Sequence, residues 1–101
     1  MSETVVVRYT TRADAAAQNQ QLIARVFREL NESNPAGLRY AAFQLDGGLD
    51  FVHLTINEGD DNPLARCGAF AEFQRGMAER LAGPVVRAGA TLVGSYRLLQ
   101  D

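Results

Sequence analysis

His53 is the one histidine of the chain, and imidazole is the side chain that ordinarily titrates near neutral pH. In a pocket it can take a proton from a phenolic ligand. In a sheet or a subunit interface it can equally serve as a hydrogen-bonding residue. Tyr9, Tyr40 and Tyr96 sit in strand-like segments. Their hydroxyls can orient a substrate oxygen, and their rings can simply pack. Arg8 and Arg97 share a sheet face if the first and last strands are neighbours, where they can hold an anion together. They can also pair with acids such as Glu3 or Asp101, or across a dimer. Cys67 falls on an apolar helix face, and no neighbour in the sequence demands the lowered pKa of a reactive thiolate, so it reads as a small core residue. Phe70, Phe73 and Met77 share that face; they read as core and would border any pocket between helix and sheet.

Other patterns read as scaffold. Glu58, Asp60 and Asp61 lack the alternating spacing of a calcium loop and read as a solvated turn. Gly47-Gly48 has no following helix, so it is turn chemistry and not a phosphate cradle. One cysteine excludes an intrachain disulfide, and one cysteine with one histidine cannot build a structural zinc site within the chain. No metal is expected.

These residues need elements to position them. Residues 4–10 (TVVVRYT) are β-branched and aromatic and predict a strand. Thr11 can cap the following helix, with Asp14 in its first turn. The helix spans about 15–31, with Leu22, Ile23, Val26, Phe27 and Leu30 as its apolar stripe and Arg25, Arg28, Glu29 and Glu32 on the solvated side. Pro35 and Gly37 end it. Residues 38–45 and 49–57 form a hairpin around Asp46-Gly47-Gly48. Asp61 or Asn62 caps a second helix over 64–81, with Pro63 at its first position. Cys67, Phe70, Phe73, Met77 and Leu81 form its buried face, and Gly76 inside it implies close helix–sheet packing or a bend. Residues 85–89 read as a linker and 90–99 as the last strand.

The order β-α-β-β-α-β is the ferredoxin-like pattern: an α+β fold with a four-stranded antiparallel sheet and two helices on one face. The 101 residues suit one domain over 1–101. Alternation groups Val5, Val7, Tyr9, Ala41, Phe43, Leu45, Val52, Leu54, Ile56, Leu92, Tyr96 and Leu98 on one face. Val6, Arg8, Leu38, Tyr40, Ala42, Gln44, Phe51, His53, Thr55, Val93, Ser95 and Arg97 fall on the other. The second set is too apolar for a purely solvated surface, and a second copy of the chain is the expected cover. The basic residues, all arginine, form no stripe, so nucleic acid is not an expected partner. No apolar run approaches the roughly 20 residues that cross a bilayer, and the polar start is unlike a signal peptide, so no membrane partner and a cytoplasmic location are expected.

The opening VVVRYTT, the hairpin FQLDGGLDFVHLTIN and the helix NPLARCGAFAEFQRGMAERL together resemble the antibiotic biosynthesis monooxygenase-like group of the dimeric α+β barrel superfamily. The resemblance covers nearly the whole chain as a pattern of elements. It implies a homodimeric barrel with a small-molecule pocket in each subunit. It also implies oxidation of quinol-like or anthrone-like aromatics by molecular oxygen, with no cofactor. The haem-degrading branch uses a tryptophan and a helical histidine; this chain has no tryptophan and places its histidine on a strand. No catalytic residue is carried over from the family. Two functions follow: a cofactor-independent monooxygenase with His53 as proton acceptor, or a non-enzymatic dimeric small-molecule-binding or interaction module.

Overall fold

A computed structural model describes residues 2–97. Strand β1 (Glu3–Thr10) is followed by a 3-10 turn (Ala13–Ala15) and helix α1 (Ala16–Ser33). Strands β2 (Leu38–Gln44) and β3 (Asp50–Asn57) form the hairpin. A second 3-10 turn (Pro63–Arg66), helix α2 (Gly68–Arg75), short helix α3 (Met77–Arg80) and strand β4 (Val86–Ala90) complete the order. The antiparallel sheet runs β2-β3-β1-β4, the expected ferredoxin-like order.

Local chemistry explains the boundaries. Gly47 (φ 99°) and Gly48 (φ 84°) take the left-handed conformations that close the hairpin. Helix α1 ends where Asn34 turns left-handed (φ 47°) and its N–H returns to the Leu30 carbonyl. Asn62 caps the second 3-10 turn by accepting from the Leu64 N–H, with Pro63 first inside. Two expectations about helix starts are corrected. Thr11 does not cap α1. It is fully buried, bridges to Leu81 and bonds the Leu49 carbonyl. Glu29 is not simply solvated: its carboxylate accepts from the Gly68 and Ala69 N–H groups (3.1 and 2.9 Å) and caps α2 from the neighbouring helix. Those bonds hold its carboxyl below the usual range.

The second helix is broken rather than continuous over 64–81. Cys67 has extended backbone, and Gly76 separates α2 from α3. The break at this glycine is the bend that the sequence allows as the alternative to helix–sheet contact, and a Cβ there would lie 3.0 Å from Nη1 of Arg80.

The last strand is displaced. β4 occupies 86–90 and not 90–99. It pairs antiparallel with β1 from Arg8↔Val86 to Thr4↔Ala90. Since β1 begins at Glu3, little partner strand remains beyond Ala90. Residues 91–97 are exposed, and Val93 is 97% accessible. The expected strand residues 98–99 lie outside the described residues.

The face assignment is corrected as well. Register places Tyr9 opposite Phe51, Val7 opposite His53 and Val5 opposite Thr55, and Tyr40 also opposite Thr55. Residues paired across an antiparallel ladder share a face. Val5, Val7 and Tyr9 therefore join Leu38, Tyr40, Phe51, His53 and Thr55 under the helices. Val6, Arg8, Ala41, Phe43, Val52, Leu54 and Ile56 form the open face. Alternation was right within each of β1, β2 and β3 and wrong between β1 and the hairpin, because both faces carry apolar residues. The core joins Tyr9 and Phe51 of the sheet to Val26 of α1, Phe73 of α2 and Cys67. Leu22, Ile23, Leu30, Phe70, Met77 and Leu81 pack around it as the helical spacing predicts. No helix among the described residues is long and apolar enough to cross a membrane.

Candidate active site

A pocket of about 410 Å³ opens between α2–α3 and the covered face of the sheet. Its walls include Val5, Val7 and Leu38 from the strands and Phe70, Phe73 and Met77 from the helices. Tyr9, Tyr40 and His53 supply polar groups, and Glu3, Asn57, Asn62, Gln74 and Arg87 also border it. A cleft with apolar walls and several polar groups suits a small ligand with an apolar body and a polar edge.

His53 is 5% exposed. Tyr9 Oη lies 2.7 Å from its Nε2, and Tyr40 Oη 2.6 Å from its Nδ1. Cross-strand register makes this triangle: β1 and β2 flank β3, so their tyrosines converge on the ring between them. The rings of Tyr9, Tyr40 and Phe73 all lie within 5.8 Å of the imidazole, centroid to centroid. Burial pushes the imidazole down to about 4 and the Tyr9 phenol up to about 12. The Tyr40 phenol is raised too, by burial first and then by the neighbouring Tyr9 and Cys67. All three groups are therefore neutral around pH 7.

The polar chain continues inward. Asn19 Nδ2 donates to Tyr9 Oη (3.0 Å), and Arg80 Nε donates to Asn19 Oδ1 (3.0 Å). Arg80 Nη2 donates to the Phe73 carbonyl (2.5 Å), and the guanidinium sits over the Phe73 ring. Asn19 is fully buried, and Arg80 is 4% exposed. No carboxylate forms an ion pair with Arg80 among the described residues. The end of β1 holds it in place: the Arg12 N–H donates to the Arg80 carbonyl, and the Ala82 N–H to the Thr10 carbonyl (both 2.8 Å).

Of the residues singled out from the sequence, the structure brings His53, Tyr9, Tyr40, Phe70, Phe73 and Met77 together around this pocket. It does not bring in Tyr96, Arg97 or Arg8. Tyr96 is 80% exposed with the Arg97 guanidinium over its ring. Arg8 points from the open face, because it pairs with Val52 and not with a covered position. Cys67 is buried in the core, and burial pushes its thiol up. Glu58 and Asp61 make exposed ion pairs with Arg39 and Arg66. No group of acidic, histidine or cysteine side chains placed to hold a metal occurs among the described residues. Sequence reading missed Asn19 and Arg80. The signal was present: Asn19 lies three, four and seven residues before Leu22, Ile23 and Val26, and Arg80 lies seven after Phe73. Both are polar residues at core-face positions.

No protein-family model matches the sequence, and no curated protein does. Solved structures share the fold. A provisionally named antibiotic biosynthesis monooxygenase from Bacteriodes thetaiotaomicron superposes with a TM-score of 0.73 at 10% identity, over 91% of this chain and 90% of that one. A protein named in the same way from Caulobacter crescentus gives 0.72 at 17% identity, over 92% and 91%. SnoaB, a cofactor-independent oxygenase from Streptomyces nogalater, gives 0.67 at 15% identity, over 95% and 97%. At these identities the likeness is one of fold, and the resemblance read from the sequence holds at that level.

Proposed function

We propose that this chain is a cofactor-independent monooxygenase for a small aromatic, quinol- or anthrone-like, working as a homodimer in the cytoplasm. The observation that carries the reading is the buried His53, bonded on both nitrogens by tyrosines, at the pocket between helices and sheet. The named activity of SnoaB, on the same fold, supports it. An anthrone-like CH2 would become a carbonyl, with one atom of O2 entering the product and the other leaving as water, so no external reductant is needed. The substrate anion supplies the electrons. Val5, Val7, Phe70, Phe73 and Met77 keep the ring dry and flat, and Tyr40, backed by His53 and Tyr9, meets its oxygen. The second copy would cover the open sheet face and the exposed Phe43, Val86, Leu92 and Val93.

The occupied nitrogens of His53 also favour a second reading: a dimeric module that binds the same ligand and does no chemistry. Oxygen uptake with anthrone and with 1,4-dihydroxynaphthalene separates the two. The enzyme reading expects uptake above the buffer rate, with anthraquinone and water formed from anthrone and 2-hydroxy-1,4-naphthoquinone and water from the naphthalene, and a loss of at least about tenfold in Tyr40→Phe. Saturable binding of both compounds with no uptake above buffer overturns it and leaves the binding module.

A further inference from the structure

The five groups from Arg80 to Tyr40 form a single chain of hydrogen bonds, and its direction follows from which atoms can donate. A guanidinium has donors only. The Asn19 atom facing Arg80 Nε must therefore be the carbonyl oxygen, and the amide NH2 must face Tyr9. Tyr9 Oη then accepts from Asn19 and has one proton of its own to place. Tyr9 is 2% exposed, and the other partner of its hydroxyl is His53 Nε2. Leaving a buried hydroxyl proton unpaired is costly, so Tyr9 donates and Nε2 accepts. A neutral imidazole with Nε2 bare carries its proton on Nδ1, where it faces Tyr40 Oη. Tyr40 accepts that proton, which leaves its own hydroxyl proton without a protein acceptor among the described residues. Tyr40 borders the pocket.

We infer that Arg80 sets the polarity of this chain and makes Tyr40 a hydrogen-bond donor at the inner wall of the pocket, so that this point of the site takes a ligand oxygen that accepts: a phenolate, enolate or quinone carbonyl. Five dipoles then point the same way, from a buried cation to the pocket, and each strengthens the next. Such a chain stabilises negative charge on the ligand oxygen, the form in which a quinol-like compound gives electrons to oxygen. Arg80 and Asn19 are positioning residues, since neither touches the ligand. The ligand class rests on the function proposed above; the chain's direction does not.

The single histidine makes the test direct. Two-bond 1H–15N correlation of the 15N-histidine-labelled protein at neutral pH reads the tautomer without any variant. Nδ1 is expected with a pyrrole-type shift and Nε2 with a pyridine-type shift. The reverse assignment, or a rapid average of the two, overturns the inference. Asn19→Asp supplies the counter-test. A carboxylate between Arg80 and Tyr9 accepts from both, so Tyr9 must reverse, Nε2 must become the donor, and the two nitrogen shifts must exchange types. An unchanged tautomer in folded Asn19→Asp also overturns it.

For the ligand class the probe is 4-nitrophenol, whose bound ionisation state is read from its visible absorption. The wild type is expected to bind the phenolate about tenfold more tightly than the neutral phenol, a preference lost in Tyr40→Phe. Equal binding of both forms, or no binding of either, refutes the acceptor-ligand assignment. Failure of the oxygen-uptake assay alone would sink the enzyme reading and leave the tautomer result standing.

Discussion

Acid should weaken this fold in a window that belongs to one residue. Burial holds the imidazole of His53 at about 4, against an ordinary value of 6.5. A base with a depressed folded value gives up its proton on folding. Its share of stability is whole above 6.5 and falls as the pH drops towards 4, because the unfolded chain binds a proton that the folded chain refuses. At about pH 4.5 the unfolded ring is almost wholly charged and the folded ring about one-quarter charged, which gives a loss of roughly 2.5 kcal/mol relative to about pH 7.5. Carboxylates add to acid unfolding mainly below that window. Urea unfolding of wild type and His53→Asn, followed by far-UV circular dichroism at several pH values between about 4.5 and 7.5, isolates the histidine. The variant starts less stable because it shortens a buried hydrogen-bonded side chain, but its stability curve is expected to run flatter by roughly 2.5 kcal/mol over that range. Parallel curves for the two proteins would mean that His53 charges freely in the fold. Burial could then not be holding it neutral, and the chain of donors described above would lose its middle link.

Three further outcomes follow from the packing. Gly76→Ala, which helix propensity alone would favour by up to about 1 kcal/mol, is expected to destabilise by about 1–2 kcal/mol in urea unfolding, because its Cβ meets the bound Arg80 guanidinium. Arg80→Met is expected to cost about 2–3 kcal/mol alone, since it strands Asn19 Oδ1, whereas Arg80→Met with Asn19→Leu should recover most of that loss; additive losses in the same unfolding assay would show that the two side chains are not coupled. Light scattering is expected to give twice the chain's 11.0 kDa, and Leu54→Asp on the open face should return a folded monomer; a monomeric wild type removes the homodimer.

The helical stripes were legible because a 3.6-residue period leaves one apolar face, and every residue assigned to the stripes of α1 and α2 except Phe27 belongs to the core or packs against it. Phe27 meets the site through a 4.7 Å ring contact with Tyr40. The hairpin was legible from its paired glycines. What alternation could not supply was the phase of one strand against another. Val5 and Val6, or Phe51 and Val52, are equally credible core residues, and only the pairing of Tyr9 with Phe51 settles which set lies under the helices. That phase brings Tyr9, Tyr40 and His53 together, so the site was legible as a set of residues but not as a cluster. The last strand was misplaced for a related reason: the VRAGA segment has weak strand propensity and is held by β1, while the more strand-like residues 91–97 lie past the end of their partner.

Asn19 and Arg80 are inconspicuous in the sequence because each is a lone polar residue in an apolar stripe. Their burial is the argument for their importance. A cation with no carboxylate ion pair among the described residues is an expensive occupant of a small core, and apolar side chains of similar volume would stabilise the same packing at least as well. Burial even draws the guanidinium's pKa below its ordinary value. Stability therefore does not explain Arg80. Beyond its bond to the Phe73 carbonyl, the inferred chain gives it a use that an apolar residue cannot copy: it fixes the orientation of Asn19, and through Tyr9 and His53 it leaves the Tyr40 hydroxyl proton for the pocket. A leucine at 19 and a methionine at 80 would keep the core and lose that decision. The cost of burying this pair is best understood as the cost of a directed hydrogen-bond donor in a site that otherwise offers a ligand mostly apolar wall.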